Sequence, residues 1–264
     1  MTRKRIYIFF VFAVLFDVAM ANNIQVSSVS HASTNTAAGY EMISCNISWE
    51  NSWRTSTTDP YNWDAAWVFV KYRLAGGEWK HATLNSTSGN HTAPFGSTIS
   101  AGRDGKGVFV YRSADGTGTF TANGIELRWE YTADGLTAGS SSVAELCVYA
   151  IEMVYIPEGS FYAGDGAATA YYTFRQTGSN TPFNVTSSGS AIMINGTNTY
   201  DDAQIESKVL FLDGDGGLSK TSATQHYLNG LFPKGYRAFY CMKYEITQQQ
   251  YVDFLNTFNY DQQL

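Results

Sequence analysis

Six tryptophans are the residues whose concentration first suggests a binding surface. All of them lie in the first half of the 264-residue chain: Trp49, Trp53, Trp63, Trp67, Trp79 and Trp129. Aromatic rings stack on the apolar faces of sugars, so this concentration can supply platforms for glycans. Trp49, Trp67 and Trp129 lie inside alternating strand patterns, which favours a core position for these three. Trp53 and Trp63 flank a Ser/Thr-rich loop and are therefore the better candidates for exposure.

The cysteines Cys45, Cys147 and Cys241 are too few and too far apart for a disulfide scaffold. An odd count leaves at least one thiol unpaired, and no pair has the C-x-x-C spacing of a zinc or redox site. Cys45 alternates with Ile43 and Ile47, which predicts a buried free thiol on an inward strand face. A bridge between Cys45 and Cys147 is the open alternative. No cysteine is assigned a catalytic or metal-binding role.

Carboxylates and histidines form no complete metal-site pattern. The segment Asp213–Gly217 has the opening of a calcium loop, but Gly217 and Leu218 stand where a third ligand and the turn glycine belong. A plain glycine turn is therefore favoured. Ordinary surface or half-buried positions are expected for the four widely spaced histidines, His31, His81, His91 and His226. We assign no catalytic, cofactor-binding or metal-binding residue, and the sequence names no cofactor.

The N-terminus has the pattern of a secretory signal. Arg3-Lys4-Arg5 precede an apolar run over residues 6–16, and Ala19-Met20-Ala21 form a small-x-small cleavage site. A run of about eleven residues is short for a membrane-spanning helix, which needs about 20. An uncleaved anchor is the alternative. We predict a signal peptide over residues 1–21 and a secreted protein, periplasmic or extracellular, with no membrane segment beyond the signal.

The charge balance excludes one class of partner. The formal net charge is -6, and no block of Lys or Arg occurs beyond Arg3-Lys4-Arg5, so nucleic-acid binding is not expected. Charged residues make up only 15% of the chain, against about 25% in an average domain. The high counts of Gly, Tyr and Phe argue against a helical bundle and predict a mainly β protein with aromatic cores.

Alternating patterns predict a β-sandwich of the immunoglobulin or fibronectin kind over residues 40–150. Residues 43–49 and 125–131 alternate apolar with polar side chains, as half-buried strands do. Residues 65–72 are apolar on both faces, which predicts a central strand covered on both sides. Glycine-rich turns separate these segments from further strands at 108–111 and 143–154. Residues 22–39, rich in Ser, Thr and Asn, predict a flexible leader or an edge strand.

A second composition begins at residue 151. Residues 165–235 form a Gly/Ser/Asn-rich insertion that is expected to be partly stranded or a specialised surface element. Thr247 and Gln250 have the spacing of a capping box and predict the start of a helix, with Ile246 and Tyr251 as a hydrophobic staple. We expect the helix to bury one apolar stripe against the preceding strand: Tyr251, Phe254, Leu255 and Phe258.

Two blocks of this second part occur in a specific order. Residues 152–164 read EMVYIPEGSFYAG, and residues 239–256 read FYCMKYEITQQQYVDFLN. They resemble the first two blocks of the sulfatase-modifying-factor family, the fold of the formylglycine-generating enzyme. The resemblance implies that residues 151–264 are the N-terminal part of an α+β domain related to C-type lectins. It also implies oxidation of a cysteine in a client sulfatase, or a non-catalytic relative on the same fold.

The departures from that family limit what can be carried over. No residue here matches the family's copper-binding cysteine pair, its calcium ligands or its substrate groove, and Cys241 takes a position that is usually apolar. The chain ends just after the helix, which suggests a truncated reading frame. We expect a secreted protein that carries the start of such a domain and is itself non-catalytic, with a client protein as partner. The alternative is a non-enzymatic surface module that binds a glycan or a protein.

Overall fold

The computed structural model describes residues 23–164, 174–176, 181–195, 209–212 and 226–258. The predicted signal peptide and the Asp213–Gly217 turn lie outside these residues. Among the described strands all pairings are antiparallel except one. The predicted mainly β class is therefore confirmed.

Eight strands form before residue 157, and they include every strand predicted for this part. They are β1 (Gln25–Asn35), β2 (Tyr40–Arg54), β3 (Trp63–Arg73), β4 (Lys80–His81), β5 (Ser97–Ala101), β6 (Val108–Arg112), β7 (Gly116–Trp129) and β8 (Glu145–Ile156). A 3-10 turn at Ser88–Asn90 and a one-turn helix, α1 (Ala138–Ser141), lie between them. The period-2 patterns therefore identified real strands.

These strands form two layers that face each other. One layer has the order β1-β2-β7, and the other has the order β5-β6-β3-β8. The layers join at the Arg54–Trp63 pairing between β2 and β3. Alternate residues of both layers point inward into one apolar core, for example Ile43, Val68 and Leu127, which are fully buried. Burial of this shared core is the main stabilising term of the fold.

The structure bears on two predictions about strands beside this core, those for the leader and for β3. Residues 25–35 form the edge strand β1, which pairs with β2, so the edge-strand alternative holds for this part of the leader and the flexible one does not. Strand β3 is central, between β6 and β8, as predicted. Its inner face is buried, whereas outward residues such as Trp67 and Phe69 are only half-buried. The outer cover is therefore partial.

The described residues after 156 contain seven short strands and one helix. These are β9 (Phe161–Ala163), β10 (Phe174–Gln176), β11 (Phe183–Val185), β12 (Ile192–Asn195), β13 (Val209–Leu212), β14 (His226–Leu228), β15 (Phe239–Met242) and α2 (Gln248–Leu255). β11 pairs with β9, and the order β10-β13-β12-β14 forms a small sheet with β12 and β13 parallel. The insertion is therefore partly stranded where it is described.

The predicted division at residue 150 falls inside β8. Residues 145–155 of this strand pair with β3, and residues 153–156 also pair with β15 on the other side. The two blocks that carry the family resemblance are thus adjacent antiparallel strands, since β15 opens the second block. The backbone ladder runs from the first part of the chain into the second without a break.

The capping box of α2 is confirmed, but the predicted packing of the helix is wrong. The Thr247 hydroxyl accepts the Gln250 N–H at 3.1 Å, and the Gln250 side chain accepts the Thr247 N–H at 3.0 Å. Ile246 and Tyr251, however, are each 53% exposed, and no residue of the helix is buried. The reason is that the helix lies beside the outer face of β3 and β8 across an open groove and does not pack on the preceding strand.

Candidate binding surfaces

The outward residues of four neighbouring strands form a surface that we call the aromatic face. Because side chains alternate along a strand, the odd-numbered residues of β3, β6 and β8 all point away from the core, and Tyr240 of β15 joins them. The aromatic face consists of Trp63, Trp67, Phe109, Tyr111, Tyr155 and Tyr240. All six side chains are half-buried.

Ring contacts connect these residues into one row. Trp63 stacks on Tyr155 with centroids 3.9 Å apart and planes 8° apart, and Phe109 stacks on Tyr240 at 3.7 Å and 12°. Trp67 leans on Phe109 at 4.6 Å, and Tyr155 meets Tyr240 edge-on at 5.3 Å. Such pairs add about 0.5–1.5 kcal/mol each beyond their burial. The rings therefore hold each other in fixed orientations.

Polar contacts fix one end of this row. The Arg54 guanidinium lies 4.6 Å from the Trp63 ring, and the Trp63 indole N–H donates to the Tyr240 hydroxyl at 3.3 Å. Burial raises the pKa of Tyr240 to about 12, so its hydroxyl stays protonated at neutral pH. Trp63 is consequently committed to contacts within the protein and is not a free platform.

The other end of the row is open and forms a shallow groove. Trp67, Phe109, Met153 and Tyr240 line it together with the Gly102–Asp104 loop, and its volume is about 560 Å³. The exposed charges of Arg103 and Asp104 stand at its rim. The flat apolar surface of this groove can stack on a ring. The guanidinium beside it can donate hydrogen bonds to hydroxyl groups, and the carboxylate can accept hydrogen bonds from them.

Glycine makes the position of Trp67 possible. A Cβ atom at Gly107 would lie 2.6 Å from Trp67 Cζ2 and 2.7 Å from the Val68 carbonyl oxygen. A Cβ at Gly102 would lie 3.2 Å from Trp67 Cη2. The indole therefore lies directly against the backbone of this loop, and the indole and the loop both line the groove.

The tryptophan expectations hold only in part. Trp49 and Trp129 are buried in the core as predicted, but Trp67 is on the outer face. Trp53 and Trp63 are half-buried and engaged, because the Trp53 indole N–H donates to Asn62 Oδ1 at 3.0 Å and Trp63 is stacked as described. The better candidate for ring stacking is Trp67. The outward position of Trp67 was visible in the sequence as the second apolar face of residues 65–72.

A buried charge cluster lies behind the aromatic face. The Lys243 ammonium is 2.9 Å from Asp64 Oδ2 and 3.4 Å from Glu152 Oε2, and it lies 4.7 Å from the Trp53 ring. Asp64 also accepts the Trp49 indole N–H and the Ser52 hydroxyl, each at 2.8 Å. Every polar group here has a partner, so the cluster fastens the segment after β15 to the first part of the chain. No pattern in the sequence pointed to this cluster, because its members are far apart along the chain.

The three cysteines are all unbridged, so the Cys45–Cys147 alternative is not realised. Cys45 is buried as expected, and burial raises the pKa of its thiol to about 12. Cys147 is half-buried, and Cys241 is exposed on β15. The first thiol is therefore inert in the folded protein, because the thiolate is the reactive form.

The histidines have separate local roles. His91 is buried; its Nδ1 accepts the Arg128 N–H at 3.1 Å, and its Nε2–H donates to the Asn85 carbonyl at 2.8 Å. His31 contacts the buried Glu41 and the Ala144 carbonyl. His81 contacts the Lys106 carbonyl at 2.7 Å. No group of three or more metal-ligating side chains exists among the described residues.

A second groove, of about 650 Å³, lies between the start of β8 and α2. Its lining includes Phe69, Lys71 and Ile151 from the sheet and Phe254 from the helix. No pattern in the sequence pointed to this groove, because it depends on where α2 comes to rest.

Comparison of the chain with models of protein families, with curated proteins and with solved structures finds no match. None of the helices that the structure describes is long and apolar enough to cross a membrane.

Proposed function

We propose that this chain is a non-catalytic, exported binding module whose aromatic face recognises glycans. The observation that supports the proposal is the open end of the face, where Trp67, Phe109 and Tyr240 present rings beside Arg103 and Asp104. Sugar rings have an apolar face and a girdle of hydroxyl groups, so they complement this arrangement of flat rings and charged rim. The rings are held by one another, which reduces the ordering cost of binding.

The test is a binding assay across soluble polysaccharides of different backbone, such as glucan, xylan, mannan and chitin fragments, read by intrinsic tryptophan fluorescence. We expect at least one to bind, and Trp67→Ala to weaken that binding by at least about tenfold, the scale of one lost stacking contact. Trp79→Ala is the matched control, since Trp79 lies under Arg73 and outside the aromatic face. Absence of binding to every polysaccharide would sink the proposal.

Export is part of this proposal, because the protein must leave the cytoplasm to reach glycans on the outside of the cell. The support is the basic, apolar and small-x-small order of residues 1–21. N-terminal sequencing of protein collected from the medium or periplasm tests it, and we expect a mature start near Asn22. Recovery of the chain in the membrane fraction with Met1 still present would support the uncleaved anchor.

A second candidate is membership of the sulfatase-modifying-factor family, with an immunoglobulin- or fibronectin-like sandwich ahead of the partial domain. Its support is the pairing of β15 with β8, which brings the two resembling blocks side by side. In this candidate the chain holds a client protein but does not oxidise it. Incubation with a cysteine-containing sulfatase peptide and copper is expected to yield no formylglycine, as judged by mass spectrometry; a formylglycine product would overturn the non-catalytic assignment.

A further inference from the structure

The groove between β8 and α2 has the size and lining of a small-molecule site. Its volume of about 650 Å³ lies within the range of about 300–1,000 Å³ that is usual for such sites. Phe69 and Tyr149 stack at 5.2 Å to form one wall, and Phe254 of α2, which is 48% exposed, forms the other. Along β3, the groove residues Phe69 and Lys71 follow Trp67, which lies at the open end of the aromatic face.

Lys71 is the one lysine or arginine among the described residues that line this groove. Lys71 Nζ donates to the Thr257 hydroxyl at 3.3 Å, and that hydroxyl in turn donates to the Phe254 carbonyl at 2.7 Å. Among the described residues no carboxylate lies within ion-pair distance of Lys71. An ammonium has three donors, so two remain for another acceptor. Burial lowers the pKa of Lys71, and an anion placed beside it would offset that cost.

The acidic residues of the groove stand elsewhere. Glu152 pairs with Lys243, and Asp253 accepts from the Gln249 amide at 2.8 Å. Asp253 faces Tyr149, whose pKa is raised by burial and by the Cys147 and Asp253 groups nearby. Glu245 is exposed at the rim. These carboxylates disfavour an anionic group beside them, so an anion is favoured only next to the Lys71 ammonium.

We propose that this groove binds a small amphipathic anion, a carboxylate carried on an apolar chain or ring. The carboxylate pairs with the Lys71 ammonium and replaces water on its two remaining donors. The apolar body lies between Phe69 and Phe254. This site is separate from the proposed glycan surface, and either can fail without the other.

The test uses three probes with the same apolar chain and different head groups: dodecanoate, dodecanol and dodecylammonium. Each is titrated into the full chain by calorimetry below its micelle-forming concentration. We expect dodecanoate to bind most tightly. Lys71→Met is expected to weaken dodecanoate by at least about tenfold, the scale of one charge-assisted hydrogen bond, and to leave dodecanol unchanged.

Two further variants keep the outcome decisive. Lys80→Met removes an exposed lysine and is the matched control, with no expected effect. Phe254→Ala trims an exposed wall residue with little risk to folding, and we expect it to weaken dodecanoate and dodecanol alike. Failure of dodecanoate to bind, tighter binding of dodecylammonium, or unchanged affinity in either Lys71→Met or Phe254→Ala would overturn the proposal.

Discussion

Lys243 places one positive charge between the two buried carboxylates of Asp64 and Glu152. Taking charges out of water costs free energy, and mutual attraction and hydrogen bonds must offset that cost. Here each carboxylate has at least one fixed donor or cation. Removing the cation alone would leave two negative charges close together without compensation. This change destabilises the fold more than removing the whole cluster would.

We therefore predict that Lys243→Met lowers the free energy of unfolding by about 3 kcal/mol, the usual cost of breaking a buried pair. Urea denaturation followed by tryptophan fluorescence measures it. Lys80→Met, at an exposed lysine, should change stability by less than about 0.5 kcal/mol. Equal effects of the two variants would show that the Lys243 cluster contributes nothing specific.

His91 gives a prediction for pH. Burial lowers its pKa below 6.5, and its Nδ1 must stay unprotonated to accept the Arg128 N–H. The folded state therefore binds fewer protons than the unfolded state, so this residue's contribution to stability falls as pH drops below 6.5. NMR titration should find a His91 pKa below 6.5, with the proton of the neutral ring on Nε2; a pKa at or above 6.5 contradicts this.

At the scale of elements, the Gly102–Gly107 loop sets the position of Trp67. Gly107→Ala places a Cβ within 3 Å of both the Trp67 ring and the Val68 carbonyl. We expect it to cost about 1–3 kcal/mol by overpacking and to weaken any glycan that binds through Trp67. Gly89→Ala is the matched control, because nothing lies within 4 Å of its Cβ position. Stability is measured by denaturation and glycan affinity by the binding assay. The expectation would be contradicted if Gly107→Ala, like Gly89→Ala, behaved as the unmodified chain does in both.

The cap of α2 supplies a local prediction. Thr247→Ala removes the acceptor for the Gln250 N–H and should cost about 1 kcal/mol of helix stability. Since no residue of α2 is buried, we expect the loss to remain local. Amide hydrogen exchange of the helix should speed up about fivefold, as about 1 kcal/mol implies, while exchange in β3 stays unchanged. Unchanged exchange within α2 would contradict a capping role.

Individual strands and helices were easier to predict from the sequence than the way in which they pair and pack with one another. The period-2 pattern of residues 65–72 identified β3 and its central place, because alternation and burial are local properties of a strand. The pairing of β15 with β8 was not predictable, since it joins residues more than 80 positions apart. The aromatic face depends on that pairing, because Tyr240 reaches Phe109 only through it. Likewise the cap of α2 depends only on the four residues from Thr247 to Gln250, whereas the packing of the helix depends on distant strands.

The molecule as a whole is unevenly packed. Eleven of the fourteen large apolar side chains that are exposed among the described residues lie between positions 161 and 254. The main core, in contrast, draws every buried member from residues 43–148. Segments with few buried apolar contacts open at lower free-energy cost than segments that form the core. The part of the chain after β8 is therefore expected to be the less protected one.

Limited proteolysis tests this expectation. With low concentrations of chymotrypsin, we predict that the first cuts fall after residue 160 and that a fragment containing β1 to β8 persists. Mass spectrometry of the fragments over time assigns the cuts. Early cleavage within β2, β3 or β7 would mean that the core is not the more stable part.

The double pairing of β8 also bears on how this chain can be divided or recombined. A cut after residue 150, where composition changes, would remove the strand segment that covers Trp63 to Trp67 on β3. The bare edge left behind would be a template for pairing with a second molecule. A cut after Ile156 would keep β3 covered but would discard β15, and with it Tyr240 and Lys243. As a unit of exchange between genes, or as an expression fragment, strands β1 to β8 and the β15 segment belong together.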